Sequence, residues 1–350
     1  MQSSPFGCRR GAAERAAMPS LPGLLLGTAI GDALGQPLEG HDLNTILHVD
    51  LPANPDLFAW RFVDADKGAC RFRAGETSDD TQLTLAMRDA LADVNLDTCS
   101  LDDFMKRVCA HHLAAYGAST KGWGPGTVQA SRALECGTPW QSSGGRRTAG
   151  NGVLMKLLPL VFAHVNMRVR FAAAERERVL AVTRMTHGAP EAAVTSLVYH
   201  EMAARLFAAP DDAQATLASS ATRHAFFSSL LDFCVCSAEP GFPAEARFSP
   251  WLARLLSASA PQGCKDGGED GGCKNDMELA TLTNGGTSYC LSSLSMVCGI
   301  LLSSPLGFSQ VARAAFIGGD TDSNAAMVGG IVGALLGVDA FPDNLQRVST

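Results

Sequence analysis

Two short acidic clusters, far apart in the chain, carry the side chains best suited to chemistry. One lies in "TSDDT" at residues 77–81 and the other in "GGDTDSN" at residues 318–324. Each places two aspartates beside hydroxyl side chains, just before an apolar stretch with helical spacing. One acid would be an ordinary helix cap, but two neighbouring carboxylates disfavour each other's ionised form unless a cation lies between them. Carboxylate and hydroxyl oxygens suit Mg²⁺, Mn²⁺ or Ca²⁺ rather than zinc, so the clusters together predict a metal site.

Several glycine-rich loops could complete such a site. They are "GTAIGDALGQPLEG" at 27–40, "KGWGPGT" at 121–127, "TAGNGVLMKLLPL" at 148–160 and "THGAPEAA" at 186–193. Glycines let backbone N–H groups approach anionic oxygens closely, although a run such as 121–127 is also typical of a plain turn. Trp123 in that run fits a base or ribose contact as well as it fits hydrophobic packing.

The motifs occur in an order that resembles the ADP-ribosylglycohydrolase family. The order is G-D-A-L-G followed by Glu39, then S-D-D-T, G-N-G-x-x-M, T-H-x-x-P and G-G-D-T-D-S, across roughly residues 22–338. The resemblance implies an all-helical fold that binds two Mg²⁺ ions, or Mn²⁺ in their place. It also implies hydrolysis of the bond between ADP-ribose and a protein side chain or small acceptor.

The resemblance assigns expected roles to residues of this chain. The expected metal ligands are Ser78, Asp79, Asp80, Asp320, Asp322 and Ser323. The expected catalytic residues are Asp79, Asp80 and Glu39. The expected substrate contacts are Gly122, Gly124, Gly126, Thr148, Gly150, Asn151 and His187. Ala149 stands where some relatives have an aromatic residue, which weakens any inference about substrate range.

The chemistry of ribosyl hydrolysis suits this inventory, because positive charge develops at the anomeric carbon in the transition state. Bound cations can hold ribose hydroxyls and activate water, with Asp79 or Asp80 available to take its proton. The resemblance places Glu39 on a movable loop beside the metals, although a surface carboxylate is the alternative. His187 fits a structural role equally well.

Other functions remain open at this point: a non-catalytic ADP-ribose binder, a crystallin-like structural protein of the same fold, and a metal-dependent phosphohydrolase. The hydrolase is favoured because all four aspartates of the two clusters are present. The bond that is cleaved, whether to arginine, to serine, in O-acetyl-ADP-ribose or another, does not follow from the sequence.

The rest of the chain predicts an all-α, single-domain protein. Its 350 residues are 46% hydrophobic, enough for a sizeable core, and strand-like alternation is scarce. Helices are predicted over residues 22–35, 80–94, 101–116, 126–135, 151–164, 173–183, 190–208, 211–236, 289–302, 307–316 and 322–337. We expect a helical domain over residues 21–340, a disordered tail at 1–20, a C-terminal tail at 341–350 and a solvated insertion at about 257–276.

Composition bears on partners and location. A net charge of -7 without a Lys/Arg stripe argues against nucleic-acid binding, and the apolar stretches are shorter than the roughly 20 residues that span a bilayer. The 11 cysteines are scattered and no secretory signal precedes them, so we expect reduced thiols, with zinc at Cys264 and Cys273 as a weaker alternative. A cytoplasmic monomer is expected; the arginines near the N-terminus faintly resemble a mitochondrial presequence.

Overall fold

The structure, a computed structural model, describes residues 18–53, 63–67, 70–166, 173–259 and 275–348. Helices dominate these residues, and the all-α prediction is confirmed. In the first half of the chain the α-helices are α1 (Leu21–Gly35), α2 (Leu43–Thr45), α3 (Leu51–Ala53), α4 (Asp79–Leu91), α5 (Leu101–Ala118), α6 (Pro125–Glu135), α7 (Trp140–Ser143) and α8 (Leu158–Asn166). In the second half they are α9 (Ala173–Thr186), α10 (Pro190–Ala208), α11 (Pro210–Ala218), α12 (Ser220–Phe233), α13 (Ser249–Ala258), α14 (Asp276–Leu282), α15 (Cys290–Ser303), α16 (Phe308–Phe316) and α17 (Thr321–Leu336).

Shorter elements connect these helices. Segments of 3₁₀-helix lie at Gln36–Leu38, Ala244–Ala246, Asn284–Gly286, Val338–Ala340 and Asp343–Leu345, and π-helical turns lie at Ile46–Asp50 and Cys234–Ala238. In the part of the chain that the structure describes, the strands form one antiparallel ribbon of β1 (Ala65–Lys67) and β2 (Cys70–Phe72).

Local signals explain where many helices begin. Ser20, Ser78, Ser100 and Asn275 occupy N-cap positions, and each side chain accepts a hydrogen bond from an N–H group of the following turn. Proline occupies the first turn of α1, α6, α10, α11 and α13, where its missing N–H costs nothing. These caps allowed most helix starts to be predicted within a few residues.

Two predicted helices differ from the observed ones. The predicted helix 211–236 is divided at Ser219, which caps α12 by accepting from Thr222 N at 3.2 Å while Thr222 Oγ1 accepts from Ser219 N at 3.3 Å. The predicted helix 151–164 begins only at Leu158, because the preceding residues form turns in which Leu154 N donates to Asn151 O at 2.7 Å. That turn segment contributes to the site described below.

Helices α1 and α17 run antiparallel with their backbones in direct contact. A Cβ atom on Gly23 would lie 2.1 Å from Gly333 O, and one on Gly27 would lie 2.0 Å from Gly329 O. Only glycine permits this approach, and the glycines recur every fourth residue along one face of each helix. The contact brings the C-terminal end of α1 against the N-terminal end of α17.

The hydrophobic core surrounds α15 and α17, whose residues are buried almost without exception. Residues after 340, expected to form a tail, lie against this core through Phe341, which is 3% exposed, and Leu345, which is 0% exposed. The domain limits otherwise stay a prediction.

Some predictions fall on residues outside the described part of the chain. They concern the N-terminal tail up to residue 17 and the insertion from 260 to 274, with Cys264 and Cys273. Helix α13 ends at Ala258 and α14 begins at Asp276, so both borders of the predicted insertion are helical. The described cysteines that are free are Cys99, Cys109, Cys136, Cys234, Cys236, Cys290 and Cys298. Among the described helices, none combines the length and apolar character needed to cross a membrane.

Candidate active site

Three helix N-termini meet at a cavity of about 360 Å³: those of α4, α6 and α17. The cavity is lined by predicted site residues from every motif: Glu39, Asp79, Asp80, Gly122, Gly124, Gly126, Thr148, Gly150, Asn151, His187, Asp320, Asp322 and Ser323. Of the predicted site residues, only Ser78 does not line it. The fold therefore brings together motifs that are far apart in the sequence.

The carboxylates in and beside the cavity form two groups that share Asp322. Oxygens of Asp32, Asp80 and Asp322 lie within 4.8 Å of one another, and so do oxygens of Glu39, Asp320 and Asp322. All except Glu39 are buried. Each group thus offers three carboxylate oxygens at a spacing that a hard divalent cation could bridge.

Asp320 occupies the N-cap position of α17, but its side chain does not cap that helix. Its Oδ2 instead accepts a hydrogen bond from Asn151 Nδ2 at 3.1 Å. Asp322 Oδ1 accepts from Ser323 N at 2.9 Å, and its other oxygen accepts from the side-chain amide of Gln36. Ordinary capping therefore does not account for Asp320.

At the start of α4 the capping residue is Ser78, whose Oγ accepts from Asp80 N at 3.2 Å. Asp80 Oδ2 accepts from the hydroxyls of Ser78 and Ser323 at 3.1 and 3.3 Å. Asp80 Oδ1 is buried and has no hydrogen-bond partner among the described residues. Because a buried carboxylate oxygen without a donor is costly, this atom fits a cation as its missing partner.

Asp32 was not among the predicted site residues, although it belongs to one of the two carboxylate groups. Its carboxylate accepts from Ser78 N at 2.9 Å, from Thr81 N at 3.1 Å and from Thr81 Oγ1 at 2.6 Å, which ties α1 to the start of α4. It is the only charged residue of α1. A lone acid within an apolar helix was the signal that could have identified it.

Burial is the main influence on the ionisation of these acids. It raises the pKa of Asp32 to about 6, although hydrogen bonds from the first turn of α4 lower it. Burial and then the neighbouring carboxylates raise the pKa of Asp79 and Asp80 well above the usual range. Burial also raises the pKa of Asp320. A bound cation would favour the ionised forms and so oppose these shifts.

The glycine-rich loop 121–127 also lines the cavity. Gly122 has a left-handed backbone with φ of 86°, and a Cβ atom there would lie 2.9 Å from Asp79 Oδ1. Helix α6 begins just after Gly124, so the N–H groups of Gly126 and Thr127 have no partner within the helix. Such a helix end attracts anions.

Trp123 belongs to the same loop but does not line the cavity. It is 7% exposed, its Nε1 donates to Gln82 Oε1 at 2.7 Å, and its ring lies 5.3 and 5.4 Å from the rings of His112 and Tyr116. Of the two interpretations offered for this residue, hydrophobic packing is the one that the structure supports.

The segment containing Glu39 is attached to the segment before Asp320. Gly40 N donates to Gly319 O at 2.7 Å, and Gly319 N donates to His41 O at 2.8 Å. The loop that the resemblance describes as movable is thus held by two backbone hydrogen bonds beside the second acid group.

Comparison with known proteins gives the class of the chain. A family model described as ADP-ribosylglycohydrolase matches residues 20–349. The chain belongs to the ADP-ribosylglycohydrolase family. A solved structure titled "ADP-ribosylglycohydrolase-related protein complex" has a similar fold, with a TM-score of 0.59 and 23% identity over 94% of this chain and 91% of that chain. A search of curated proteins found no match.

Five further residues line the cavity of this ADP-ribosylglycohydrolase family member: Pro125, Thr127, Gly152, Met155 and Ser288. Four of them lie within or beside quoted motifs. Ser288 does not; it is positioned by Asn151 N, which donates to Ser288 O at 2.9 Å. Its only sequence signal was the neighbouring glycine pair at 285–286, where the backbone is left-handed.

Proposed function

We propose that this protein hydrolyses the ribosyl bond between ADP-ribose and a protein side chain or small acceptor, with the help of divalent cations. The observation that carries the proposal is that one cavity contains carboxylates of two groups that share Asp322, together with glycine backbone and a helix N-terminus. The carboxylates suit cations, and the helix N-terminus suits an anionic substrate.

The donor set fits Mg²⁺, with Mn²⁺ as the alternative, because it consists of carboxylate and hydroxyl oxygens and includes the unpartnered Asp80 Oδ1. Asp32, Asp80 and Asp322 would hold one cation, and Glu39, Asp320 and Asp322 the other. When bound, the cations would neutralise the acids and polarise substrate oxygens.

The groups lining the cavity suit a diphosphate and a ribose. The N–H groups of Gly126 and Thr127 at the start of α6 would donate to phosphate oxygens. Thr148, Asn151 and His187 line the same cavity and would contact ribose hydroxyls. ADP-ribose carries both a diphosphate and a ribose, so it fits this set of groups.

Asp79 lines the cavity but belongs to neither carboxylate group. Its side chain is therefore the better placed of the two predicted bases to take a proton from water. Water forms the new bond to the anomeric carbon as the bond to the acceptor's nitrogen or oxygen breaks, and the acceptor leaves with the bonding electrons and gains a proton. Release of free ADP-ribose follows.

The test is a panel of defined ADP-ribosylated substrates incubated with the protein and Mg²⁺, with free ADP-ribose and inorganic phosphate both measured. We expect at least one substrate to release ADP-ribose, and chelation to abolish the release. Phosphate release instead would indicate a phosphohydrolase, whereas binding of ADP-ribose without turnover on any substrate would indicate a non-catalytic binder.

Asp322→Asn is the matching variant, because it keeps the size and can still serve at a helix start but removes the shared charge. We expect turnover to fall at least about a hundredfold, since even indirect partners of a metal contribute 10–100-fold. Asp103→Asn is the control: Asp103 also lies in the first turn of a helix, α5, but outside the cavity. Parental turnover in Asp322→Asn would contradict the shared-cation proposal.

A further inference from the structure

A buried row of three side chains leads from the core to the cavity wall. Lys156, Thr186 and His187 are 2%, 0% and 3% exposed. Lys156 Nζ lies 3.0 Å from Thr186 Oγ1, which lies 2.8 Å from His187 Nδ1. His187 lines the cavity, whereas Lys156 and Thr186 do not.

The direction of these hydrogen bonds follows from the chemistry of the groups. Burial lowers the pKa of Lys156 to about 7, so below that pH the amine is protonated, has donors and no acceptor, and Thr186 Oγ1 accepts from it. The hydroxyl has a single hydrogen, and its other partner among the described residues is His187 Nδ1. A buried hydroxyl hydrogen without an acceptor is costly, so it is donated to Nδ1, which is then unprotonated.

The surroundings maintain this arrangement. Leu83, Met87, Val108 and Met185, together with His112, line a void of only about 10 Å³ next to Lys156, and the hydrogen bond of its amine among the described residues is the one to Thr186. Burial, followed by the charge of Lys156, lowers the pKa of His187 to about 3, so the ring is neutral and its proton must lie on one nitrogen.

We propose that Lys156, acting through Thr186, holds His187 in the tautomer protonated at Nε2, so that His187 donates a hydrogen bond to a substrate oxygen in the cavity. Lys156 is a positioning residue in this proposal. The hydrogen-bonded relay of Lys156, Thr186 and His187 does not depend on the proposed function. The identity of the substrate oxygen, in a ribose hydroxyl or a phosphate, does rest on the proposed function.

The ring is placed for that role. A Cβ atom on Gly150 would lie 3.4 Å from His187 Nε2, and one on Gly152 would lie 3.3 Å from Cε1, so both glycines keep this edge of the ring open. Nε2 has no hydrogen-bond partner within the described residues. With the opposite tautomer, a lone pair on Nε2 would face the oxygens of an anionic substrate and repel them.

The first experiment needs no substrate. The protein is labelled with ¹⁵N-histidine, and the ring nitrogen shifts of His187, assigned by loss of its signals in His187→Asn, report which nitrogen carries the proton. Below the pH of about 7 at which Lys156 loses its proton, we expect Nε2–H alone in the parent. Thr186→Ser, which keeps the hydroxyl, should preserve it. Lys156→Met frees the hydroxyl to accept as well as donate, so the Nδ1–H form should become populated. A protonated Nδ1 in the parent overturns the relay, and so does a single Nε2–H form in folded Lys156→Met.

The second experiment measures ADP-ribose affinity by calorimetry with Mg²⁺ present. We expect Lys156→Met to weaken binding by roughly three- to tenfold, the worth of one net hydrogen bond, and Thr186→Ser to bind as the parent does. Parental affinity in a Lys156→Met protein with mixed tautomers would overturn the donor role. Failure of the parent to bind ADP-ribose at all would instead overturn the proposed function and leave the tautomer result intact.

Discussion

At the residue scale, the buried carboxylates of Asp32 and Asp80 differ in their hydrogen-bond partners. Asp32 accepts hydrogen bonds from three donors on Ser78 and Thr81, whereas Asp80 leaves one buried oxygen without a partner in the described structure. The protein supplies donors to the first carboxylate, whereas the proposed function gives the second a cation as its partner. Replacing each by its amide should therefore have different consequences for stability.

We expect Asp32→Asn to lower the free energy of unfolding by about 1–3 kcal/mol, because the amide nitrogen would face N–H or O–H donors. Asp80→Asn, measured in chelator, should leave it unchanged or raise it, because removing a buried charge relieves repulsion from the neighbouring acids. Denaturant unfolding of both variants in chelator is the measurement. Equal losses in the two variants would contradict the distinction.

At the element scale, the glycine contact between α1 and α17 determines whether the acid groups form. Asp32 lies near the end of α1, and Asp322 lies in the first turn of α17. Any separation of the two helices would therefore pull apart two carboxylates of the same group. The spacing of the helices is a requirement of the site as well as of the core.

Gly27→Ala should destabilise the protein by about 1–3 kcal/mol or more, because the new Cβ would meet a backbone oxygen that cannot move alone. It should also weaken binding of Mg²⁺. Gly117→Ala is the control, since Gly117 is exposed in α5 with nothing within 4 Å of its added Cβ, and it should raise stability by about 0.5–1 kcal/mol. Thermal unfolding distinguishes them; similar melting temperatures for the two variants would show that the helices can move apart without cost.

At the scale of the whole molecule, cation binding and protonation should compete. Burial raises the pKa of Asp32 from 3.8 to about 6 in the folded protein, so below about pH 6 the acid holds a proton that a cation must displace. We expect the rise in melting temperature caused by Mg²⁺ to be small near pH 4 and to grow through about pH 6.

The melting temperature must be measured with and without Mg²⁺ at each pH, because other groups also change stability with pH. Burial lowers the pKa of His164 to about 2 and that of His187 to about 3, below the 6.5 of the unfolded chain. The stability that these histidines contribute therefore rises with pH from about 3 and levels off near 6.5, whether or not Mg²⁺ is present. The difference between the two melting temperatures cancels that contribution. A difference independent of pH would show that protons and Mg²⁺ do not share a site.

Local signals such as prolines and apolar spacing act within a few residues, and they made most of the helices predictable from the sequence. The predicted site residues came from the two acidic clusters and from the order of motifs that resembles the family, and all of them except Ser78 line the cavity. Asp32 was missed because its donor Ser78 lies 46 positions away, in a contact that only tertiary packing creates. The turns at 151–157 were missed because their apolar pattern also fits a helix.

The antiparallel contact of α1 and α17 has a consequence for folding during synthesis of the protein. Gln36 and Asp322, which are hydrogen-bonded in the folded chain, lie 286 positions apart. A ribosome therefore exposes the glycine face of α1 long before its partner exists, and the nascent chain must wait for α17 before it can form this contact. Because Asp322 belongs to both carboxylate groups, a polypeptide released before α17 is synthesised has neither group, so both groups form only after α17 has been made.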